Sequence, residues 1–254
     1  MLLSSRSEEC TPLGKVRNLL ERDRKDPSRK NKQKCILIST GSYNPVHTMH
    51  VRTFYLARKA LEENHNVSIV GAFLSPSHGD YVQSKLGESD YIDTEHRLRM
   101  VELSIEEEAS QRGLSVLDQF LSLDKWESTV CTGFADFPEV TVSLRDYITQ
   151  QFPKENIRIM YLCGTDHFCR CGYLRGLRRQ KNIGVVTLKR PSHKGLSDEE
   201  MSKSFPDVFI VETNMEEECS STLIRKQAQA GESISKYVHP SVESYMKTNK
   251  IYYV

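Results

Sequence analysis

His47 and His50 stand three residues apart at the end of Ile36-Leu37-Ile38-Ser39-Thr40-Gly41-Ser42-Tyr43-Asn44-Pro45-Val46-His47-Thr48-Met49-His50. On a helix, residues i and i+3 share a face, so both imidazoles can meet one ligand. The residues before them prepare an anion site. A short apolar run with β propensity leads to Gly41, which permits a tight turn and close backbone approach, and Asn44-Pro45 can start a helix. The free amides of a helix start, aided by the helix dipole, favour negative charge, so the chemistry on offer is that of phosphate. A strand, a glycine turn and a helix occur throughout α/β proteins; the length of this pattern, ending in two histidines, carries the functional reading.

A second anion-ready segment lies far along the chain, in Cys219-Ser220-Ser221-Thr222-Leu223-Ile224-Arg225. Serine and threonine at a helix start cap free amides, and the remaining amides and hydroxyls of Ser221 and Thr222 can bind phosphate oxygens. Arg225 follows Thr222 by three residues, so its charge can return along the same face. Alone this is also an ordinary capping sequence; two such helix starts at strand ends can grip one triphosphate from opposite sides. In Leu162-Cys163-Gly164-Thr165-Asp166, Gly164 would let backbone approach a nucleotide. Asp166 could accept hydrogen bonds from ribose hydroxyls, or cap the next helix. Trp126, in the loop Leu123-Asp124-Lys125-Trp126-Glu127-Ser128, suits a stacking platform for a flat ring, although a core position is the usual place for tryptophan.

Positioning these residues requires strands whose carboxyl ends converge. Apolar runs at residues 35–40, 67–74, 114–121, 157–162, 183–188 and 208–211 read as strands, and 49–63, 95–108, 141–152, 222–230 and 241–249 as helices. The alternation implies crossover connections and a mostly parallel, doubly wound α/β sheet of Rossmann-like type with helices on both faces, with ligands at the carboxyl ends of the strands. Residues 124–139 read as an irregular loop. Residues 1–34 read as a flexible, charged N-terminal extension, within which Leu13, Val16, Leu19 and Leu20 can form one amphipathic helix. The stretch from Arg22 to Lys34 allows a nuclear-import signal, which its interspersed Asp residues weaken. Residues 35–254 read as one folded domain that carries all of these segments.

The 254 residues, 38% hydrophobic and 27% charged, suit one globular domain. No apolar run approaches a membrane span, and the first residues lack a signal-peptide core beyond Met1-Leu2-Leu3. A net charge of +1 argues against broad nucleic-acid binding. Seven scattered cysteines form no disulfide framework and favour a reducing compartment, cytoplasm or nucleus. Cys163, His167, Cys169 and Cys171 offer zinc-ligand chemistry at a spacing that matches no common knuckle, so buried thiols are the expectation and no protein metal site is assigned.

The first segment resembles the Gly-Ser-Phe-Asn-Pro and His-x-Gly-His-like signatures of the nucleotidyltransferase superfamily, with Met49 where many members carry glycine. Thr48-Met49-His50-Val51-Arg52 is similar to the eukaryotic-type nicotinamide/nicotinate mononucleotide adenylyltransferases. The second resembles that family's Ile-Ser-Ser-Thr-x-Ile-Arg, and Leu162–Asp166 its Leu-Cys-Gly-Ala-Asp. Ser75-Pro76-Ser77-His78-Gly79-Asp80-Tyr81 and Lys85 look like its mononucleotide-binding segment, reduced to one lysine, and His96-Arg97 its fold-supporting His-Arg. The resemblance implies adenylyl transfer from ATP to nicotinamide or nicotinate mononucleotide, giving NAD or its acid form and pyrophosphate. His50, His47, Arg225 and Lys85 would be catalytic. Gly41, Ser42, Tyr43, Gly164, Asp166, Ser221 and Thr222 would hold ATP or the dinucleotide, and Trp126 and Lys85 the mononucleotide, with Trp126 against the pyridine and Tyr173 in place of a second aromatic. Magnesium would accompany ATP, and the protein would form a homo-oligomer. The rivals are a phosphopantetheine adenylyltransferase or cytidylyltransferase, and a non-catalytic dinucleotide-binding or chaperone-like protein.

Overall fold

The apolar runs assemble as strands β1 (Gln33–Gly41), β2 (Val67–Pro76), β3 (Leu121–Leu123), β4 (Ile157–Gly164), β5 (Ile183–Lys189) and β6 (Val208–Glu212). In the computed structural model, which describes residues 5–189, 198–213 and 219–253, they form one sheet in the order β3-β2-β1-β4-β5-β6. Every neighbouring pair is parallel. All of β2 is buried, as expected of a parallel strand covered on both faces. The start Met1-Leu2-Leu3 lies outside the described residues.

The helices are α1 (Gly14–Lys25), α2 (Pro27–Lys30), α3 (Thr48–Asn64), α4 (Gly79–Leu86), α5 (Thr94–Gln111), α6 (Trp126–Thr129), α7 (Phe137–Gln151), α8 (Thr165–Arg170), α9 (Gly172–Leu177), α10 (Asp198–Ser204), α11 (Ser221–Gln229) and α12 (Pro240–Thr248). From β1 the chain winds first towards β2 and β3, then returns to β4 and continues to β5 and β6. Right-handed crossovers on either side of β1 therefore put α3 and α5 on one face and α8 and α9 on the other. The expected doubly wound Rossmann-like α/β fold is the one observed. Its direction reverses between β1 and β4, the switch point at which such sheets open a crevice.

Three expectations are corrected. In the described part of residues 1–34, the lead-in is folded rather than flexible. Leu13, Val16, Leu19 and Leu20 are at most 2% exposed, each contributing about 1.5–3 kcal/mol by burial. Gly71 of β2 admits α1: a Cβ there would come within 2.7 Å of Val16 Cγ2. Within this charged lead-in, Lys34 pairs with buried Asp23 at 2.8 Å and Arg6 with buried Asp124 at 2.7 Å. Such pairing joins residues far apart in the chain and is invisible in linear order.

The strand expected at 114–121 shrinks to β3, because this edge strand has only three residues paired to β2. Val116 and Leu117 before it are 72% and 65% exposed. The expected loop at 124–139 contains α6 and the start of α7. Asp136 caps Phe137, Glu139 returns to the Asp136 amide at 2.9 Å, and Pro138 occupies the first turn, a reciprocal cap that is written in the sequence. Among the described residues no helix is long and apolar enough to cross a membrane.

Candidate active site

The turn after β1 shows why its residues are of these types. Tyr43 adopts a left-handed conformation with φ 44°, donates from its hydroxyl to the Ser39 carbonyl at 3.1 Å, and folds its ring back over Gly41. A Cβ on Gly41 would sit 3.2 Å from the Tyr43 ring, so glycine serves this close approach. His47 then opens α3, and its backbone N–H donates to His50 Nδ1 at 3.1 Å. The two imidazoles stack with centroids 3.4 Å apart, and the Tyr43 ring meets His50 edge-on at 4.9 Å. His47 is buried and His50 half-buried. Both line a cavity of about 130 Å³ with Met49, Thr53, Cys163 and Gly164.

A larger cleft of about 470 Å³ shares Ser39, Leu162, Cys163 and Gly164 with that cavity, so the two adjoin over the carboxyl ends of β1 and β4. Gly41, Ser42, Lys85, Glu127, Phe134 and Tyr173 are among its walls. Gly164 has nothing within 4 Å of the Cβ it lacks, so the room beside it is open to a ligand. Lys85 is exposed on α4, its ammonium 5.8 Å from the Tyr81 ring. Tyr81 in turn stacks on Phe134 at 4.2 Å and 14°.

The second motif meets the first directly. Ser220 caps α11 by accepting from the Leu223 amide at 3.2 Å, while the Ser221 hydroxyl donates to the Pro45 carbonyl at 2.9 Å. Arg225 donates to the Asn44 carbonyl at 3.0 Å, to Asp90 at 3.1 Å and to Thr222 Oγ1 at 3.4 Å. Its side chain is 6% exposed and belongs to neither cavity wall. As it stands, then, Arg225 locks the two helix starts together. Ser221 and Thr222 lie beside the histidine turn without lining either cavity, and Asp166 occupies the first turn of α8, again outside both walls.

Trp126 is corrected more sharply. Its residue is 0% exposed, and the Arg6 guanidinium covers its ring at 4.4 Å, so it is a core side chain rather than a platform in the cleft. A one-turn helix buries it, where the sequence suggested an open loop. The neighbouring Glu127 faces the cleft instead, together with Phe134 and Asp136. Sequence reasoning passed over all three, although Glu127 stands in the singled-out segment. Arg97, as expected, supports the fold: it is 0% exposed and donates to the carbonyls of Ser42, Ser77 and Ile92 at 3.0, 3.0 and 3.1 Å.

Glu127 is 1% exposed, and burial pushes its carboxyl up to about 8. The His78 amide at 2.9 Å and the Arg97 charge oppose that rise, while Asp124 and Asp136 add to it. Its Oε2 and the Ser42 hydroxyl are buried without a hydrogen-bond partner. Orphaned polar atoms on a cleft wall are places where a ligand completes the bonding. Among the described residues, no three His, Cys, Asp or Glu side chains converge to hold a metal, and Cys163, Cys169 and Cys171 are free thiols.

Known proteins are similar to this chain over most of its length. A nicotinamide/nicotinic acid mononucleotide adenylyltransferase of Arabidopsis thaliana is 26% identical over 231 residues, 85% of this chain and 89% of its own. One from Oryza sativa is 26% identical over 245 residues, covering 89% and 90%. Another from Bos taurus is 22% identical over 257 residues, covering 87% and 89%. The model of the cytidylyltransferase-like family matches residues 38–227, from within β1 to within α11 and across both cavities, and the chain belongs to that family.

Proposed function

We propose that the protein transfers the adenylyl group of ATP to a pyridine mononucleotide, forming NAD or its acid form and pyrophosphate. One observation carries the reading: two adjoining cavities meet over the ends of β1 and β4, one walled by His47 and His50 and the other by Lys85 and aromatic rings. The names of the relatives point to the same pair of substrates.

Magnesium would accompany ATP and screen the charge of its phosphates. A phosphate oxygen of the mononucleotide attacks the α-phosphorus of ATP; the new P–O bond forms as the bond to the bridging oxygen breaks, and pyrophosphate leaves with that electron pair. The attacking phosphate is already ionised, so neither a protein nucleophile nor a general base is required. The protein's task is alignment and charge stabilisation. His50, half-buried at the cavity wall, and His47 donate to phosphate oxygens, while Gly41, Ser42, Tyr43 and Gly164 shape the room around them. Lys85 brings a cation to the mononucleotide phosphate. Ser221, Thr222 and Arg225 hold the second helix start against the first, and Asp166 receives a ribose at the rim. All seven thiols are free, which supports a reducing compartment, cytoplasm or nucleus.

The test is direct. Purified protein with ATP, magnesium and either the nicotinamide or the nicotinate mononucleotide should yield pyrophosphate and dinucleotide in equal amounts. Cytidine triphosphate or phosphopantetheine in place of the matching substrate should yield none. Tight dinucleotide binding without turnover would replace this reading with a non-catalytic one.

A further inference from the structure

Resting on the proposed function, one more assignment concerns how the cleft treats the substituent of the pyridine ring. The larger lobe carries partly exposed aromatic surface, Phe134 at 44% and Tyr173 at 72%. A flat base lies against such surface, and its one polar substituent must then find partners in the wall. The wall has two buried polar atoms without them, Glu127 Oε2 and Ser42 Oγ. We propose that Glu127 is the residue that distinguishes the acid form of the mononucleotide from the amide form.

The chemistry follows from the carboxyl's two states. Protonated, it donates a charge-assisted hydrogen bond to a pyridine carboxylate, or donates to the oxygen of a carboxamide. Ionised, it repels the carboxylate at close range but still accepts from the carboxamide's N–H. Burial holds the group protonated to about pH 8, so both forms are accepted near neutrality and the acid form is rejected at higher pH.

Other groups face this carboxyl. Asp124 follows β3, Asp136 precedes α7, Arg97 projects from α5, and His78 caps α4. Cys131 follows α6 with its thiol pushed by burial up to about 11, above the relevant range. Tyr81, Lys85, Tyr161 and His167 line the same cleft. Burial lowers the imidazole of His167, so it is neutral before Glu127 titrates, and burial holds the Tyr161 phenol well above its ordinary value.

The experiment is the ratio of kcat/KM for the nicotinate form to that for the nicotinamide form, measured from pH 6 to 9.5. Titration of the shared phosphate, of ATP and of common active-site groups cancels in that ratio. It should be level to about pH 7 and fall above pH 8 by on the order of tenfold per unit, the limit for one required proton. Glu127→Gln keeps an acceptor for the His78 amide and should make the ratio independent of pH while dinucleotide formation from the amide substrate persists. A level ratio in the unaltered protein, or the same fall in Glu127→Gln, overturns the assignment and leaves the proposed function standing. Absence of dinucleotide from both substrates removes that function, and the assignment with it. Should Glu127→Gln fail to fold, the ratio in the unaltered protein decides alone.

Discussion

Glu108 and Glu127 both carry buried carboxyl groups, at 2% and 1% exposure, and they behave oppositely. Glu108 lies where α5 meets α12. It accepts from His239 Nε2 at 2.8 Å, Arg52 Nε at 3.1 Å and Arg112 Nε at 2.8 Å, and the His239 Nδ1 is joined to Ser104 Oγ at 2.8 Å. Burial opposes ionisation there, but the hydrogen bonds from His239 and Arg112, with the charges of Arg52 and Arg112, outweigh it and bring the carboxyl down to about 2. Glu127 has one backbone amide and a vacant oxygen, and burial prevails. The difference teaches where recognition resides. A polar knot completed by its own chain fixes the fold, and one left incomplete on a cavity wall awaits a ligand.

Trp126 gives the strongest way to break that division, because it lies in sequence beside Glu127 yet belongs structurally to the scaffold. Trp126→Ala should lose about 3–5 kcal/mol of stability, a fall of roughly 10 °C in Tm for a chain of this size. Trp126→Phe, which keeps an aromatic ring for Arg6, should leave the KM of the mononucleotide within about twofold. A large rise in KM at unchanged Tm would return Trp126 to the cleft.

His50→Ala tests the other side. It should lower kcat by about 10²–10³, or about 2.7–4 kcal/mol, while Tm moves by only a few degrees, since the imidazole is only half-buried and stands at a cavity wall. Equal losses of stability and activity would place His50 in the scaffold.

These two residues also mark how far the sequence could be read. Helix starts and tight turns, the features proposed to hold phosphate, demand local sequence: Gly41, the His47/His50 pair and Ser220 before α11 were legible, as was the alternation that builds the sheet. The wall of the larger cleft, where the base is proposed to lie, gathers side chains from α4, α6, the loop before α7 and the end of β4, and no short pattern records their meeting. Trp126 looked exposed because its neighbours are charged, yet Asp124 is buried against Arg6, and Lys125 and Glu127 line two separate cavities. Arg225 was legible as a cation near phosphate, while its partners Asp90 and Asn44, 135 and 181 residues away, were not.

Glu108→Gln, smaller in effect, sharpens the scaffold half. Losing charge-assisted bonds should cost about 2 kcal/mol at neutral pH. A carboxyl lowered from 4.5 to about 2 stabilises the fold fully above pH 4.5 and loses that contribution as pH falls towards 2. The stability gap between the variant and the unaltered protein, followed by thermal unfolding, should therefore close across that interval. A gap that stays constant with pH would mean that shape, and not charge, is what Glu108 supplies.

The smallest effect falls on Phe134, whose ring is 44% exposed and stacked on Tyr81 at the edge of the cleft. Its ring lies at the surface against Tyr81 and not in the core, so Phe134→Ala should change stability by no more than about 1 kcal/mol. An aromatic contact with a flat base is worth about 0.5–1.5 kcal/mol, which predicts a rise of about two- to tenfold in the KM of the mononucleotide. The KM of ATP should not move, because the triphosphate is assigned to the lobe of His47 and His50. Steady-state kinetics with each substrate varied in turn separates the lobes. Equal rises in both constants, or a rise for ATP alone, would mean that the aromatic wall does not hold the pyridine and that the division of the cleft must be redrawn.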